Sequence, residues 1–389
     1  MSNTNTNNVV SIASSDIKEV VKSHEKRLNW MLNKFGHRRG LTTALFMSLP
    51  GAGKSETGRA LSDELGRIYF EDRCGNLMPG DIRIPGVDVE KAVAKYCANT
   101  AYPFVETGVV SADDKVLLVW DEFLDASPVI QKIVKQGTND NCIGGFNFPD
   151  NTLQIAFANG LDHGCYSEAL AASNANRMAF YDVLPDVAGF QAWLADADIS
   201  IEAEALVAAN IDMFYKVDMK KWDGRSNFAS FRTVTEMAMI FESEWTTYSG
   251  GDDPRFREQD SKRTFTYKDD PLALAKLTGI LGESSAAKAI AWLDLYDAVG
   301  NIQDLIDNPQ GHPLPDDLNK KWIIATKLVG EATNENLPAI MAVGERLTGQ
   351  RGFLEAYIAR SICKHKPSLK SRPEIVKWMK RDVAELCGR

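Results

Sequence analysis

The sequence has few of the residues that form disulfide bonds or bind metal ions. Its 389 residues include five histidines and six cysteines, and the cysteines form no C-x-x-C pair. This pattern predicts neither a disulfide framework nor a zinc site and is typical of a reducing cytoplasm. No window approaches 18 apolar residues, so we expect no membrane-spanning segment and no membrane partner. Residues 1–15 lack a basic flank and a long apolar stretch, which predicts a disordered tail rather than a signal peptide.

A surplus of positive charge is also missing. The net charge of −9 argues against a chain whose main role is to coat phosphate backbones. Both ends are nevertheless basic, with seven Lys/Arg against three Asp/Glu in residues 1–40 and ten against four in residues 351–389. Two interpretations stay open for these ends: solvated helix faces, or a docking surface for an acidic partner or nucleic acid. Nucleic acid is therefore kept as a partner that the composition does not favour.

The first half of the chain alternates short apolar runs with helical spacing. Residues 16–35 predict a leading helix, with Asp16 as its N-cap and Gly36 as its stop. Apolar runs of strand length follow at 41–47, 67–70, 116–120, 153–158 and 178–184, with helical stretches around 88–98, 128–136 and 167–173. Buried runs separated by helices indicate a parallel sheet covered on both faces.

Beyond residue 186 the spacing is helical almost throughout. Polar segments at 248–270 and 308–317 interrupt it, and both are interpreted as loops or linkers. We therefore predict a tail at 1–15, an α/β nucleotide-binding domain with its leading helix at 16–220, a helical lid at 221–310 and a helical C-terminal region at 311–389.

The run "SLPGAGKSE", residues 48–56, lies at a predicted strand-to-helix joint. It fits the phosphate-binding pattern G-x-x-x-x-G-K-[ST] except that Ser48 replaces the first glycine. The residues that we expect to hold the nucleotide are Pro50, Gly51, Ala52, Gly53, Lys54, Ser55 and Glu56. Positive φ is needed near the two glycines, whereas Ser48 costs little if its own φ stays negative.

Two further strand ends carry polar side chains. In "KVLLVWDEF" the buried run is followed by Asp121 and Glu122, which we expect to hold Mg²⁺ together with Ser55 and to activate the attacking water, respectively. The alternative is a polar strand end that caps a helix. Asn159 ends the run "LQIAFAN" and is predicted either to bond the γ-phosphate or the water, or to serve as a turn residue before Gly160.

Two arginines complete the candidate set. Arg177 is the only arginine between Arg83 and Arg225 and precedes the last predicted strand, where it could present a guanidinium to a neighbouring subunit. Arg232 opens the first long helix of the helical half. It could reach back to the same phosphate, or it could be a solvated arginine in the first turn of a helix.

In this order the motifs resemble AAA+ ATPases, in particular the MoxR-related and dynein-related branch found in bacteria and phages. The segment "MPGDIRIPGVD" is similar to the D-[LI]-R-G-x-P segment of that branch but lacks one glycine. The resemblance implies a P-loop NTPase (AAA+) parallel sheet sandwiched by helices, followed by an all-α lid and a helical C-terminal extension. It implies Walker A at Lys54 and Ser55, Walker B at Asp121 and Glu122, sensor 1 at Asn159, an arginine finger at Arg177 and sensor 2 at Arg232.

The resemblance also implies ATP and Mg²⁺ as cofactors, and a homo-oligomeric, hexameric ring. Such a ring would remodel a protein client, with a von Willebrand A domain protein as a candidate partner. The expected location is the cytoplasm, or the host cytoplasm if a phage encodes the chain.

Alternative functions stay open at this stage. A GTPase is disfavoured because the [NT]-K-x-D signature is absent, and a DNA-associated motor or a nucleotide-dependent switch is kept as a different class. Candidate pore contacts are the aromatic side chains of "YPF" at 102–104 and "CIGGFNF" at 142–148, although aromatics in such loops are more often packing or hairpin residues.

Overall fold

The structure is a computed structural model. It describes residues 10–38, 40–88, 90–91, 93–160, 170, 172–197, 199–216, 219, 222, 224–248, 263–347 and 353–387. The chain divides into two compact units: Met1–Asp186 with Asp218–Trp222, and Val187–Val217 with Asp223–Arg389. The predicted segment 16–220 counted residues 187–217 with the sheet, whereas in the structure this segment groups with the helices of the second unit.

The first unit is built on a parallel sheet of six strands, in the spatial order β1-β10-β2-β9-β6-β3. These strands are β1 (Val10–Ala13), β2 (Thr43–Ser48), β3 (Ile68–Arg73), β6 (Val116–Asp121), β9 (Thr152–Ala158) and β10 (Met178–Leu184). Every residue of β6 and β9 is buried, as expected for strands covered on both faces. The strand ends after Ser48, Asp121 and Ala158 therefore lie at the same carboxyl edge of the sheet.

Helices cover both faces of this sheet. Alternate residues of β2 show why, since Leu45 packs in one cluster with Ile130 and Val134, whereas Phe46 packs on the other face with Val21. The helices of this unit are α1 (Ile17–Phe35), α2 (Lys54–Leu65), α3 (Pro79–Ile82), α4 (Pro128–Asp140) and α5 (Ala172–Ala175). The predicted α/β parallel sheet sandwiched by helices is confirmed.

The leading helix ends as predicted at Gly36, which adopts φ 74° and donates its N–H to the Leu32 carbonyl. Asp16 precedes α1, but its side chain makes no capping bond to the helix and accepts instead from the backbone N–H of Ala13. The predicted disordered tail is wrong for Val10–Ala13, because this short segment forms β1 beside β10. The preceding residues of that tail lie outside the described part of the chain.

Two hairpins leave the sheet. The helix predicted around 88–98 is wrong, since Arg83–Asp88 (β4) and Val93–Ala98 (β5) form an antiparallel pair. A second pair joins β7 (Cys142–Ile143) to β8 (Phe146–Asn147). The helical stretch predicted at 167–173 lies largely outside the described residues.

The aromatic candidates for pore contacts are mainly packing residues. Tyr102, Phe104 and Phe148 are buried, and the last two rings stack with their centroids 4.9 Å apart. This burial agrees with the packing interpretation of these three side chains and not with contact to a substrate. Exposed apolar side chains lie instead on the β4–β5 hairpin, where Val87 is 70% and Tyr96 50% exposed.

The second unit is helical, as the spacing beyond residue 186 predicts. Its helices are α6 (Val187–Asp196), α7 (Ile201–Ala209), α8 (Phe231–Ser243), α9 (Ala273–Leu281), α10 (Glu283–Ala298), α11 (Gln303–Asp307), α12 (Leu318–Gly330), α13 (Leu337–Leu347), α14 (Phe353–His365) and α15 (Pro373–Cys387). The predicted loop at 248–270 includes strand residues at both ends, because β11 (Thr246–Tyr248) pairs with β12 (Arg263–Phe265). None of the helices in the described ranges has both the length and the apolar content needed to cross a bilayer.

Candidate active site

The loop after β2 has the backbone that a phosphate cradle requires. Gly51 and Gly53 adopt φ 76° and 81°, a region that residues with a side chain rarely occupy. Gly53 also precedes α2, whose first turn offers unpaired N–H groups and a positive dipole end toward an anion. Ser48, at the missing glycine, is the last residue of β2 and is not among the described residues with positive φ. A serine is therefore compatible with the start of this loop.

Lys54 joins the loop to a neighbouring strand end. Its ammonium Nζ donates to the Asn159 amide oxygen at 2.9 Å and to the Ser48 hydroxyl at 3.1 Å. The carbonyls of Ser48 and Leu49 lie 3.4 and 3.5 Å from the same nitrogen. Asn159 directly follows β9, which pairs with β2, so adjacent parallel strands bring the two predicted residues together. Pro50 and Ala52 belong to the loop before this lysine, and the exposed Glu56 follows it in the first turn of α2.

Ser55 and Asp121 form the second contact of the site. The Ser55 hydroxyl donates to Asp121 Oδ2 at 2.9 Å, although 66 residues separate the two in sequence. Asp121 ends β6 and is 5% exposed. A hydroxyl and a carboxylate beside a phosphate cradle are the hard oxygen ligands that Mg²⁺ takes from protein, with water and phosphate supplying the rest. The donor set therefore fits Mg²⁺.

Glu122 has an unusual backbone conformation. Its φ of 53° is left-handed, and its N–H donates to Asp121 Oδ1 at 2.9 Å. Such strain in a residue with a side chain is concentrated at functional sites. Burial, and then the negative charge of Asp121, raise the pKa of the Glu122 carboxyl, which Arg73 and Lys54 partly oppose. A carboxylate with a raised pKa is a better proton acceptor for an attacking water.

Sequence reasoning missed the contribution of β3 to this edge. Arg73 ends β3 directly opposite Asp121 in the strand register. Gly75 lies so close to Glu122 that a Cβ on this glycine would be 3.3 Å from Glu122 Oε2. On the same strand Asp72 accepts a hydrogen bond from the Tyr102 hydroxyl, and burial raises the pKa of its carboxyl. The polar run "EDRCG" after an apolar strand start was the available signal, because parallel strands end at a common edge.

Arg177 lies at the opposite edge of the sheet. It precedes Met178, which pairs with Thr43 at the start of β2, whereas the phosphate loop follows Ser48 at the end of that strand. Five residues of strand put about 17 Å between these two edges. Arg177 is exposed and anchored locally, with Nε donating to Asn139 Oδ1 at 2.8 Å and Nη1 to the Ser173 carbonyl at 2.9 Å. Lys54, Ser55, Asp121, Glu122 and Asn159 thus converge, and Arg177 stands apart from them.

Arg232 belongs to the second unit. It is the second residue of α8, is exposed, and follows Ser230, whose hydroxyl accepts from the Thr233 N–H as a helix cap. The helix start predicted from sequence is therefore present. The role of Arg232 toward a nucleotide stays a prediction.

No family model matches the chain, and no curated protein matches it. Solved structures do match. NtrX from Brucella abortus in complex with ADP shares 13% identity, with 59% of this chain and 53% of that chain covered and a TM-score of 0.33. A Hsp104:casein complex from S. cerevisiae shares 13% identity, with 59% of this chain and 44% of that chain covered and a TM-score of 0.39. A RuvB mutant from Thermotoga maritima shares 12% identity, with 76% of this chain and 79% of that chain covered and a TM-score of 0.29. The chain spans about half the length of NtrX.

Proposed function

We propose that this chain is an ATPase that binds ATP with Mg²⁺ at the carboxyl edge of its sheet and hydrolyses it. The observation that carries the proposal is the pair of hydrogen bonds Lys54–Asn159 and Ser55–Asp121, which bring three separate motifs into one site. Such partners at the ends of β6 and β9 would not be expected for a decayed or chance phosphate loop.

Each residue has a distinct role in this proposal. Lys54 binds the β- and γ-phosphates, and Ser55 and Asp121 hold Mg²⁺, which neutralises phosphate charge when bound. Glu122 accepts the proton of the attacking water, and Asn159 holds either that water or the γ-phosphate in place. Glu122 follows the end of β6 in a left-handed conformation, with φ 53° and ψ 35°.

We infer that Arg177 acts on the nucleotide of a neighbouring subunit. Its location at the far edge of the sheet supports this inference, because about 17 Å is more than an arginine side chain can span. Arginines supplied in trans accelerate related hydrolases about 10³- to 10⁵-fold. A site completed by its neighbour's arginine fits a head-to-tail assembly, which forms a ring where the rotation between copies closes, and we propose a hexamer because the family resemblance implies one.

The order of motifs supports a MoxR-like AAA+ ATPase that couples hydrolysis to remodelling of a protein client. A von Willebrand A domain protein is the candidate partner that this resemblance suggests. The cysteines Cys74, Cys97, Cys142 and Cys363 are free, which is consistent with the cytoplasmic location that we propose.

Phosphate release by the purified chain tests the proposal. We expect Mg²⁺-dependent release from ATP that EDTA abolishes and that Lys54→Ala abolishes. The rate per subunit should fall on dilution as rings dissociate. A rate per subunit that stayed constant while the chain became monomeric would contradict the action of Arg177 in trans. Competition by GTP, and stimulation by DNA or by a client, would distinguish the GTPase and the DNA motor from the proposed function.

A further inference from the structure

The end of α4 holds the side chain of Arg177. Asn139 Oδ1 accepts a hydrogen bond of 2.8 Å from Arg177 Nε, although 38 residues separate the two. Nη1 is held by the Ser173 carbonyl, so two of the three guanidinium nitrogens are engaged from within the subunit. A planar guanidinium bonded through two nitrogens has a fixed plane and direction. Within the described part of the chain, Nη2 makes no hydrogen bond.

We propose that Asn139 is a positioning residue for the trans-acting arginine, which fixes the guanidinium before it meets the neighbour's phosphate. The inference rests on the proposed function, because it assigns a role to Asn139 only if Arg177 acts on a nucleotide. Pre-organisation matters here, since a displacement of about 1 Å in a catalytic group can cost about 100-fold in rate. A flexible exposed arginine would otherwise lose side-chain entropy at each encounter.

Asn139 can fix Arg177 because its own helix end is fixed. The buried Arg38 guanidinium donates to the Thr138 carbonyl at 3.0 Å and to the Thr152 carbonyl at 2.8 Å. Asn141 ends α4 in a left-handed conformation, with φ 55°, and its N–H donates to the Gly137 carbonyl. The turn on which Asn139 lies is thereby tied to the start of β9.

The same helix end is tied to the strand that carries Asp121. The indole N–H of Trp120 donates to Gln154 Oε1 at 3.1 Å, and Gln154 Nε2 donates to the Gly137 carbonyl at 2.9 Å. Trp120 directly precedes Asp121 on β6. These buried contacts hold the position of Asn139 relative to the sheet that also carries the hydrolysis site.

A second contact from α4 secures the segment before β10. Lys135 lies one helical turn before Asn139, and its Nζ donates to the Ser173 hydroxyl at 3.0 Å. The backbone carbonyl of Ser173 is also the acceptor for Arg177. Arg177 is therefore held directly by Asn139 and indirectly by Lys135.

The test compares Asn139→Ala with Arg177→Ala in steady-state ATP hydrolysis. We expect Arg177→Ala to lower kcat about 10³-fold or more, and Asn139→Ala to lower it about 10- to 100-fold. KM and ring size should be unchanged in both variants. The matched control is Gln136→Ala, which removes an amide of the same helix whose oxygen accepts from the Gly144 N–H instead. It should retain the activity of the parent chain.

Two further measurements separate positioning from a general structural defect. The double variant should be no slower than Arg177→Ala alone, because the effect of Asn139 requires the arginine. In mixtures with excess Lys54→Ala subunits, which carry an intact Asn139 and Arg177, the Asn139→Ala nucleotide sites should regain their activity.

The outcomes are distinguishable. If the parent chain hydrolyses no ATP, or if Arg177→Ala retains full activity, the proposed function or its trans arginine fails. If Arg177→Ala is slow but Asn139→Ala is as fast as the parent, the positioning role alone is overturned. Slow Asn139→Ala sites that fail to recover in the mixture, or a further loss in the double variant, would also overturn it.

Discussion

Lys54 Nζ and Asn159 Oδ1 lie 2.9 Å apart and connect the helix after the phosphate loop to the end of β9. The hydrogen bond joins residues 105 positions apart in sequence, which adjacent parallel strands make neighbours. A phosphate bound to Lys54 would replace this amide oxygen as the acceptor of the lysine's hydrogen bond. Asn159 would then be released to bond the phosphate or the water. In the proposed hydrolysis, Lys54 and Asn159 therefore act together.

The surroundings of Lys54 predict different results for two substitutions in the loop. Lys54→Ala should abolish binding of a fluorescent ATP analogue, because it removes the cation that meets the phosphates. Ser48→Gly should change the affinity less than about threefold, since the ammonium has acceptors on Asn159 and on two carbonyls besides the Ser48 hydroxyl. Titration of both variants checks this, and a large loss of affinity in Ser48→Gly would show that the serine is needed for the loop.

Most of this site was predictable from the sequence because its motifs are local. The run "SLPGAGKSE" predicts a strand end, a loop and a helix start within nine residues. The apolar run before Asp121 likewise predicts a buried strand. The contact of Asn139 with Arg177 had no such signal, because it joins a helix end to a strand start far away in sequence. Its acceptor and donor are also common surface residues.

The errors in the fold prediction have similar physical causes. Residues 88–98 carry valine and alanine at spacings that fit either one face of a helix or alternate sides of a strand. In the structure the pairing of β4 with β5 stabilises the strand. The four residues of β1 are too few to show a period. In "YPF" packing was the favoured interpretation, and Phe104 does pack against Phe148, but the sequence does not identify that partner.

The raised pKa of Glu122 predicts the pH dependence of hydrolysis. A base must be ionised, so the rate falls as pH falls through its pKa, and burial beside Asp121 places that pKa above the ordinary value of 4.5. The acid limb of kcat/KM against pH should therefore lie above pH 4.5. Circular dichroism over the same range would confirm that the chain stays folded. An acid limb at or below pH 4.5 would contradict the raised pKa of Glu122.

Gly75 predicts a kinetic effect from a single methyl group. In Gly75→Ala the new Cβ would lie 3.3 Å from Glu122 Oε2 and from the Asp125 Cβ, so the carboxylate must shift. We expect kcat to fall several-fold, on the order of 1 kcal/mol in the barrier, with unchanged affinity for ATP. The matched control is Gly80→Ala, where a Cβ meets nothing within 4 Å. Equal rates for the two variants would show that Glu122 is not confined by β3.

Arg38 predicts an effect on stability rather than on chemistry. Arg38→Met keeps an unbranched side chain but leaves the buried carbonyls of Thr138 and Thr152 without their donor. Loss of a partner for buried polar groups costs about 1–3 kcal/mol in the free energy of unfolding. Burial lowers the pKa of this guanidinium to about 10, and relief of that desolvation offsets part of the loss. Urea denaturation measures the difference, and an unchanged midpoint would show that water replaces the guanidinium.

Glu122→Gln tests whether this site hydrolyses ATP with Glu122 as the base. The substitution keeps the size and the backbone of the residue but removes the proton acceptor, whereas Lys54, Ser55 and Asp121 are untouched. With ATP labelled on the γ-phosphate, we predict that the variant binds ATP as tightly as the parent chain in the presence of Mg²⁺. Its release of phosphate in a single turnover should be slower by about 10²- to 10⁴-fold. Hydrolysis at the parental rate, or a parent chain that neither binds nor hydrolyses ATP, would contradict the account.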